Sequence, residues 1–176
     1  MNLEKILADQ IGRSCVEVFS TMLGMELPPW EAAAESGIAE TNDGVVSIVG
    51  LAGAWVGSGS LTCSPAFACR ICSLLLMADF PGVNEDVLDA MAELTNIVIG
   101  GVKNRLEPRL GPLGMSIPTV VYGKNLRTRS ARKTEWTVVR FRCDEEVLTI
   151  RVFLESAERQ AHILPHASLH HYSLEV

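Results

Sequence analysis

An acid and an amide three residues apart, Glu93 and Asn96, are the side chains best placed for chemistry in this sequence. They lie in a segment with helical periodicity, so their side chains project together, with β-carbons roughly 5 to 6 Å apart. Glu93 supplies a carboxylate, whereas Asn96 supplies a neutral carboxamide that both donates and accepts hydrogen bonds. No histidine or cysteine accompanies them on this face. The pair is therefore suited to orienting a bound group or a water molecule, and not to nucleophilic attack.

Glu93 and Asn96 belong to a polar stripe along the predicted helix. The polar stripe, spaced by four, three, four and three residues, consists of Asp89, Glu93, Asn96, Gly100 and Lys103. Apolar residues at four- and three-residue spacing form the opposite face, which we expect to pack on the core: Val87, Met91, Leu94, Val98 and Val102. Because solvated helix faces are commonly acidic, Asp89 and Glu93 alone do not indicate a function.

Three poor helix formers in this stretch favour a functional face. Asn96 competes for backbone hydrogen bonds, and Gly100 and Gly101 each cost roughly 1 kcal/mol relative to alanine. Gly100 also leaves a gap through which another backbone could approach. Ile97 and Ile99 flank the polar stripe and could provide apolar anchors for a partner protein. On spacing alone, a functional site and a merely solvated helix face are both open interpretations.

Periodicity and turn residues predict three helices and five strands. In chain order they are a helix over residues 3–23, strands over 45–51 and 55–63 joined by a tight turn at 52–53, a helix over 66–77, a central helix over 85–106, and strands over 115–122, 136–143 and 147–154. Ser64 and Asn84 are the predicted N-caps of the last two helices. The order suggests a duplicated unit of a helix and about three strands. We therefore expect an α+β fold in which helices cover one face of a mostly antiparallel sheet.

Length and charge restrict the class of protein. At 176 residues the chain suits one domain, which we place at 1–156 with a tail over 157–176. A net charge of −6 argues against the basic footprint of nucleic-acid binders. No apolar run reaches the roughly 20 residues of a membrane span, and the N-terminus lacks a signal-peptide core. Together with five cysteines, which suit a reducing compartment, this predicts a soluble cytoplasmic protein.

Three other clusters have both a chemical and a plainer interpretation. Cys69 and Cys72 form a CxxC that could bind a metal or act as a redox pair, but buried packing is favoured because no second CxxC or nearby histidine completes a site. The histidines of the tail could bind a transition metal, although Pro165 interrupts their helical alignment and a surface tail is favoured. The basic stretch over 124–133 could face phosphate, yet a solvated hairpin connection is favoured. No metal site is therefore predicted on this chain.

The run DAMAELTNIVIG over 89–100 resembles the D/S-x3-E-x2-N-x3-G signature of the CheX, CheC and FliY phosphatases of bacterial chemotaxis. Further similarity lies at 50–64, at 103–107 and at 116–126 (SIPTVVYGKNL), and the resemblance covers roughly residues 1–155. CheC-type members carry a second E-x2-N on the first helix, where this chain has only Glu17 and Ser20 at that spacing. The single site therefore resembles that of CheX. The resemblance implies a CheC-like fold with the duplicated architecture predicted above, and a homodimer formed through the sheets.

The resemblance also implies a phosphatase that hydrolyses the aspartyl phosphate of a CheY-like response regulator. Glu93 would dock a lysine of the regulator, and Asn96 would place a water in line with the phosphorus, in a reaction that rewards positioning. The chain would need no cofactor of its own, because the regulator's acidic residues hold the Mg²⁺ ion. Asp89 and Lys103 would be rim contacts, and Gly100 would give the partner clearance. The alternatives are a non-catalytic adaptor for a receiver domain or flagellar complex, and a structural oligomer.

Overall fold

The computed structural model of this chain describes residues 3–36, 41–127 and 135–158. Its elements follow in the order α1 (Leu3–Leu23), β1 (Glu31–Ser36), β2 (Thr41–Gly53), β3 (Trp55–Cys63), α2 (Pro65–Leu76), α3 (Glu85–Leu110), β4 (Leu113–Met115), β5 (Thr119–Arg127), β6 (Glu135–Cys143) and β7 (Glu146–Ser156). The histidines of the tail and residues 128–133 of the basic stretch lie outside the described residues.

The seven strands form one sheet in the order β1-β6-β7-β3-β2-β4, and β5 also pairs with β2. Every pairing is antiparallel. The two halves of the chain exchange strands, because β1 of the first half pairs with β6 and β5 of the second half pairs with β2. The last strands of the two halves, β3 and β7, meet in the middle. The prediction of an α+β fold built from a duplicated helix-and-strand unit is confirmed.

The helices pack on one face of this sheet because alternate strand residues supply the apolar side of the core. On β7 the buried alternate positions are Leu148, Ile150, Val152 and Leu154. The central helix α3 contacts β2, β3 and β5 and is flanked by α1 and α2. The five residues predicted to form its core face are all buried: Val87, Met91, Leu94, Val98 and Val102. The polar stripe therefore points away from the sheet.

The predicted helix caps are confirmed at both sites. Ser64 Oγ accepts a hydrogen bond from the Phe67 N–H at 3.1 Å, and Asn84 Oδ1 accepts one from the Val87 N–H at 3.0 Å. These bonds satisfy amide groups that have no partner within the helix.

The predicted end of α3 is wrong. The helix continues past Leu106 and through Pro108 to Leu110, and the Gly111 N–H then bonds to the Glu107 carbonyl at 2.9 Å. Pro108 has no N–H, so one carbonyl of the preceding turn lacks its usual donor. Because Pro108 lies exposed in the last turn, water can bond to that carbonyl instead.

Two predictions about the strands are also wrong. The single strand over 115–122 is two strands, β4 and β5, which are interrupted at 116–118 because Pro118 has no N–H to donate to the ladder. The turn at 52–53 belongs to β2, which runs to Gly53 and leaves only Ala54 before β3. Both differences depend on β2, which pairs with β4 and with β5 along its length.

Strand β1 was not predicted from the sequence. Its residues, EAAAES, combine glutamate and alanine, which are depleted in strands. Pairing with β6 outweighs this weak local preference, and the Glu35 carboxylate bonds to Arg140 and, at 3.0 Å, to Arg151. Among the described residues no helix is long and apolar enough to cross a membrane.

Candidate functional site

The polar stripe lies on one exposed face of α3. Asp89 and Glu93 are exposed, whereas Asn96, Gly100 and Lys103 are half-buried. Regular helix over the whole of Glu85–Leu110 holds these residues in line, so that Glu93 and Asn96 lie one turn apart on the same side. The spacing predicted from the sequence is therefore the spacing of the folded chain.

Glu93 and Asn96 are left free to bind something else. Within 3–36, 41–127 and 135–158, neither side chain makes a hydrogen bond or an ion pair with another described residue. Thr95, between them, turns the other way: it is buried, and its hydroxyl donates to the Met91 carbonyl at 2.7 Å. A carboxylate and a carboxamide thus project together toward solvent from a rigid backbone, as a docking site for a polar partner requires.

The two adjacent glycines of α3 serve different purposes. A β-carbon at Gly101 would lie 2.3 Å from Ser14 Oγ on α1, and that hydroxyl donates to the Val98 carbonyl at 2.7 Å. Gly101 therefore allows α1 and α3 to pack closely. A β-carbon at Gly100 would meet only Met115 Cε, at an ordinary contact distance of 3.8 Å, so nothing on this side requires a glycine. Of the two, Gly100 alone leaves the clearance expected on the polar stripe.

A groove runs beside the polar stripe, between α1 and α3. The residues that line this α1–α3 groove are Ser14, Glu17, Val18, Thr21, Met22, Asn96, Ile97, Gly100, Gly101, Asn104 and Arg105. Its volume is about 450 Å³. On the α3 side the lining includes Asn96 and Gly100, and on the α1 side it includes Met22, an exposed methionine. The groove gives the site a flank of mixed character, in which Met22 and Ile97 supply apolar surface and the Glu17–Arg105 ion pair supplies charge.

The two isoleucines predicted as partner anchors lie in different surroundings. The prediction for Ile99 is wrong: the side chain is fully buried, and its Cδ1 lies 2.8 Å from where a β-carbon would stand at Gly59, so it packs on β3. Ile97 is half-buried and lines the α1–α3 groove. Spacing placed both residues beside the polar stripe, but only the fold determines which flank the sheet covers.

Lys103 is tied to the fold. Its Nζ bonds to Glu107 Oε1 at 2.8 Å, and the same oxygen accepts the Leu113 N–H at 3.0 Å. The hydrogen bond from Lys103, followed by the one from Leu113, lowers the pKa of the Glu107 carboxyl. Together these contacts fasten the start of β4 to α3. A role for Lys103, or for Asp89, at the rim of a partner interface stays a prediction.

The loop between β4 and β5 carries a residue that sequence reasoning missed. Ile117 is 88% exposed. It lies in the SIPTVV stretch, directly before Pro118, which interrupts the strand pairing and was the available signal in the sequence.

The first helix does not repeat the site. Its acid at the same spacing, Glu17, forms an ion pair with Arg105 of α3, and Ser20 Oγ donates to Glu26 Oε1 at 3.3 Å. Both side chains therefore have internal partners, unlike Glu93 and Asn96.

The cysteines pack in the interior, as predicted for Cys69 and Cys72, which are both buried on α2. Burial raises the pKa of the Cys63 thiol to about 12 and also raises that of Cys72. A raised pKa disfavours the nucleophilic thiolate, which agrees with a packing role for these side chains. In the part of the chain that the structure describes, no group of three or more histidine, cysteine or acidic residues is arranged to hold a metal ion.

Solved structures share this fold closely. A CheC-like superfamily protein from Shewanella sp. PV-4 is 28% identical, with 88% of this chain and 99% of that one covered and a TM-score of 0.77. The chemotaxis protein CheX from Vibrio vulnificus is also 28% identical, with 85% and 99% covered and a TM-score of 0.75. At 20% identity, the Borrelia burgdorferi CheX–CheY–BeF3–Mg²⁺ complex contains a chain with the same fold, with 84% and 96% covered and a TM-score of 0.71.

No match was found among curated protein sequences. The sequence profile of the family described as chemotaxis phosphatase CheX matches residues 45–142, which is more than half of the chain and includes the whole polar stripe. With the fold, the single acid-amide pair and this match in agreement, the chain belongs to the CheX family of chemotaxis phosphatases.

Proposed function

We propose that this protein is a phosphatase that hydrolyses the aspartyl phosphate of a CheY-like response regulator. The observation that carries the proposal is the Glu93–Asn96 pair, which projects from one face of α3 and has no partner among the described residues. Membership in the CheX family supports the activity. The CheX protein of Borrelia burgdorferi, which has the same fold, forms a complex with CheY, BeF3 and Mg²⁺, and this supports a receiver domain as the partner.

In the proposed reaction the two side chains have separate roles. The Glu93 carboxylate pairs with a lysine of the regulator and so sets the position of the receiver on α3. The Asn96 carboxamide enters the regulator's site and orients a water molecule in line with the phosphorus. Both roles are positioning roles, which suit phosphoryl transfer because its loose transition state gains mainly from alignment and charge stabilisation.

The balance of the step is that of a hydrolysis. The water oxygen forms a new bond to phosphorus while the bond between phosphorus and the aspartyl oxygen breaks. The aspartate leaves as a carboxylate, and the inorganic phosphate carries away the water oxygen and both of its protons, one of which exchanges with solvent. We place the Mg²⁺ ion in the regulator's own acidic site, where it neutralises charge on the phosphoryl oxygens. In this proposal the present chain supplies no metal ligand.

The test is phosphate release from a phosphorylated receiver, with Asn96→Ala compared against the unchanged protein. We expect the rate at saturation to fall by about a hundredfold or more, because the attacking water is then no longer held in line with the phosphorus. Binding to a BeF3-activated receiver should persist, because Glu93 is intact. Gln10→Ala, which removes a carboxamide of α1 that does not line the α1–α3 groove, is the control.

Two outcomes would contradict the proposal. If the unchanged protein binds the receiver without shortening the lifetime of its phosphate, the chain is an adaptor. If Asn96→Ala retains full activity, the amide does not orient the water. The homodimer and the cytoplasmic location stay predictions, and light scattering on the purified chain measures the first of them.

A further inference from the structure

We propose that Ile117, on the loop between β4 and β5, is an apolar docking contact for the receiver bound at Glu93 and Asn96. The inference rests on the proposed function, because it places a third contact beside that site. In this proposal the receiver interface extends beyond the polar stripe to the β4–β5 loop.

The first observation is the exposure of Ile117. The side chain is 88% exposed, and among the large hydrophobic residues that are described only Met77, at 94%, is more exposed. Isoleucine is branched at its β-carbon and has little rotamer freedom, so it loses little entropy when it is covered. An exposed isoleucine is therefore an efficient docking contact if it lies where a partner arrives.

The second observation is that the loop is held in place. The Ser116 N–H donates to the Gly50 carbonyl at 2.9 Å, and Ser116 Oγ accepts the Gly50 N–H at 2.8 Å. The same hydroxyl donates to the Ile117 carbonyl at 3.0 Å, and Pro118 restricts the next φ angle. The backbone at Ile117 is thus fixed to β2, and presenting its side chain requires no ordering of the loop on binding.

The third observation is the place of the loop beside the polar stripe. Met115 Cε lies 3.8 Å from the position that a β-carbon would take at Gly100. Because Ile117 is two residues further along, its Cα lies at most about 7 Å from that of Met115. The Lys103–Glu107–Leu113 contacts hold this part of the chain against α3. Ile117 therefore lies on the side of α3 that leads from Gly100 to the sheet.

A receiver that covers Glu93 and Asn96 has to extend over this flank. A helix with its side chains is about 10–12 Å wide, whereas a domain of 100 residues has a radius of gyration of about 13 Å. A partner of that size cannot sit on the polar stripe without overhanging α3. On one side of α3 the overhanging part of the partner then faces the α1–α3 groove, and on the other side it faces the loop that carries Ile117. The polar stripe offers the receiver only a few polar contacts, so an apolar contact buried at the flank adds to the stability of the complex.

The test uses Ile117→Ser in the full chain, assayed over a range of phosphorylated receiver concentrations. We expect KM, and the Kd for the BeF3-activated receiver, to rise about tenfold, with kcat within about twofold, because the contact is equally present before and during the reaction. Ile117→Leu should restore most of the affinity. Met77→Ser is the control, since it removes an equally exposed apolar side chain at the C-cap of α2.

The outcomes separate the two proposals. If the unchanged protein releases no phosphate, the proposed function fails. If it is active and Ile117→Ser keeps its KM and Kd, only the docking contact is refuted. A fall in molecular mass with Ile117→Ser in light scattering would show that a second copy of this chain covers the residue, and this would also overturn the inference. Circular dichroism and a melting curve would establish that each variant is folded.

Discussion

Helices α1 and α3 begin the two halves of the duplicated fold, yet only α3 carries the candidate site. Each has a glutamate followed three residues later by a polar side chain and seven residues later by a glycine. In α3 the helix continues through Gly100, and Glu93 and Asn96 have no partner among the described residues. The α1 helix ends at Leu23 before Gly24, which has a φ of 60°. The duplicated architecture therefore does not duplicate the unpaired acid-amide pair.

Glu17, the acid of α1, forms an ion pair with the neighbouring helix α3. Arg105 of α3 pairs with Glu17 and also donates to the Gly101 carbonyl at 3.1 Å. The counterpart of Asn96 is Ser20, whose hydroxyl is shorter than a carboxamide and is directed to Glu26. A receiver approaching α1 would meet an acid that is already neutralised and no amide that could reach into its site. The presence of a carboxylate at the right spacing is thus insufficient without an unpaired side chain.

The largest expected difference between the helices is in the effect of removing each acid. Glu93→Ala should lower kcat/KM by about tenfold to a hundredfold, because a hydrogen-bonded charge contact with the regulator is lost. Glu17→Ala, which changes the net charge by the same amount, should leave kcat/KM within about twofold. Phosphate release at varied receiver concentration measures both. Equal losses in the two variants would mean that α1 takes part in the site, and the contrast drawn here would be wrong.

The contrast between α1 and α3 also shows what the sequence could and could not predict. The caps at Ser64 and Asn84, the buried face of α3 and the Glu93–Asn96 pair depend on neighbours within one or two turns, so local spacing suffices for them. The burial of Ile99 and the pairing of Glu17 with Arg105 depend on other elements that reach the same helix. Strand β1 likewise forms because β6 pairs with it, against its own composition. The placement of side chains along one helix could therefore be predicted from the sequence, whereas the surroundings of that helix could not.

A second contrast concerns the glycines where α1 meets α3. Gly101→Ala places a methyl group against the buried Ser14 hydroxyl, and we expect the free energy of unfolding to fall by about 1–3 kcal/mol. Gly100→Ala makes only an ordinary contact with Met115, at 3.8 Å, so better helix propensity should raise the free energy of unfolding by up to about 1 kcal/mol. Urea denaturation of the two variants measures the difference. If both substitutions stabilise the protein, the close approach of α1 to Gly101 is not the reason for that glycine.

The same matched pair sharpens the functional comparison. If Gly100 provides clearance for the receiver, Gly100→Ala should raise KM even though it stabilises the fold. A stabilised variant with an unchanged KM would show that the gap is not used.

The smallest expected effect concerns Glu107, an acid of α3 that bonds to Lys103 and to the Leu113 N–H. The bonds from Lys103 and Leu113 lower the pKa of Glu107 from an ordinary value of 4.5 in the folded chain. A lowered folded pKa means that the unfolded chain binds the proton more readily. The stabilisation is therefore fully present above pH 4.5 and is lost as the pH falls through the lowered pKa.

Glu107→Gln should accordingly flatten the dependence of the free energy of unfolding on pH in this acidic window, measured by urea denaturation at closely spaced pH values. Lys103→Met should remove most of the same slope, because the hydrogen bond from Lys103 is the largest cause of the lowered pKa. Since Glu107 is near the surface, the change should be small and should shrink with added salt. An unchanged pH dependence of the free energy of unfolding in both variants would mean that the Lys103–Glu107 pair does not hold β4 on α3. The loop that carries Ile117 would then be held in place only by its contacts with β2.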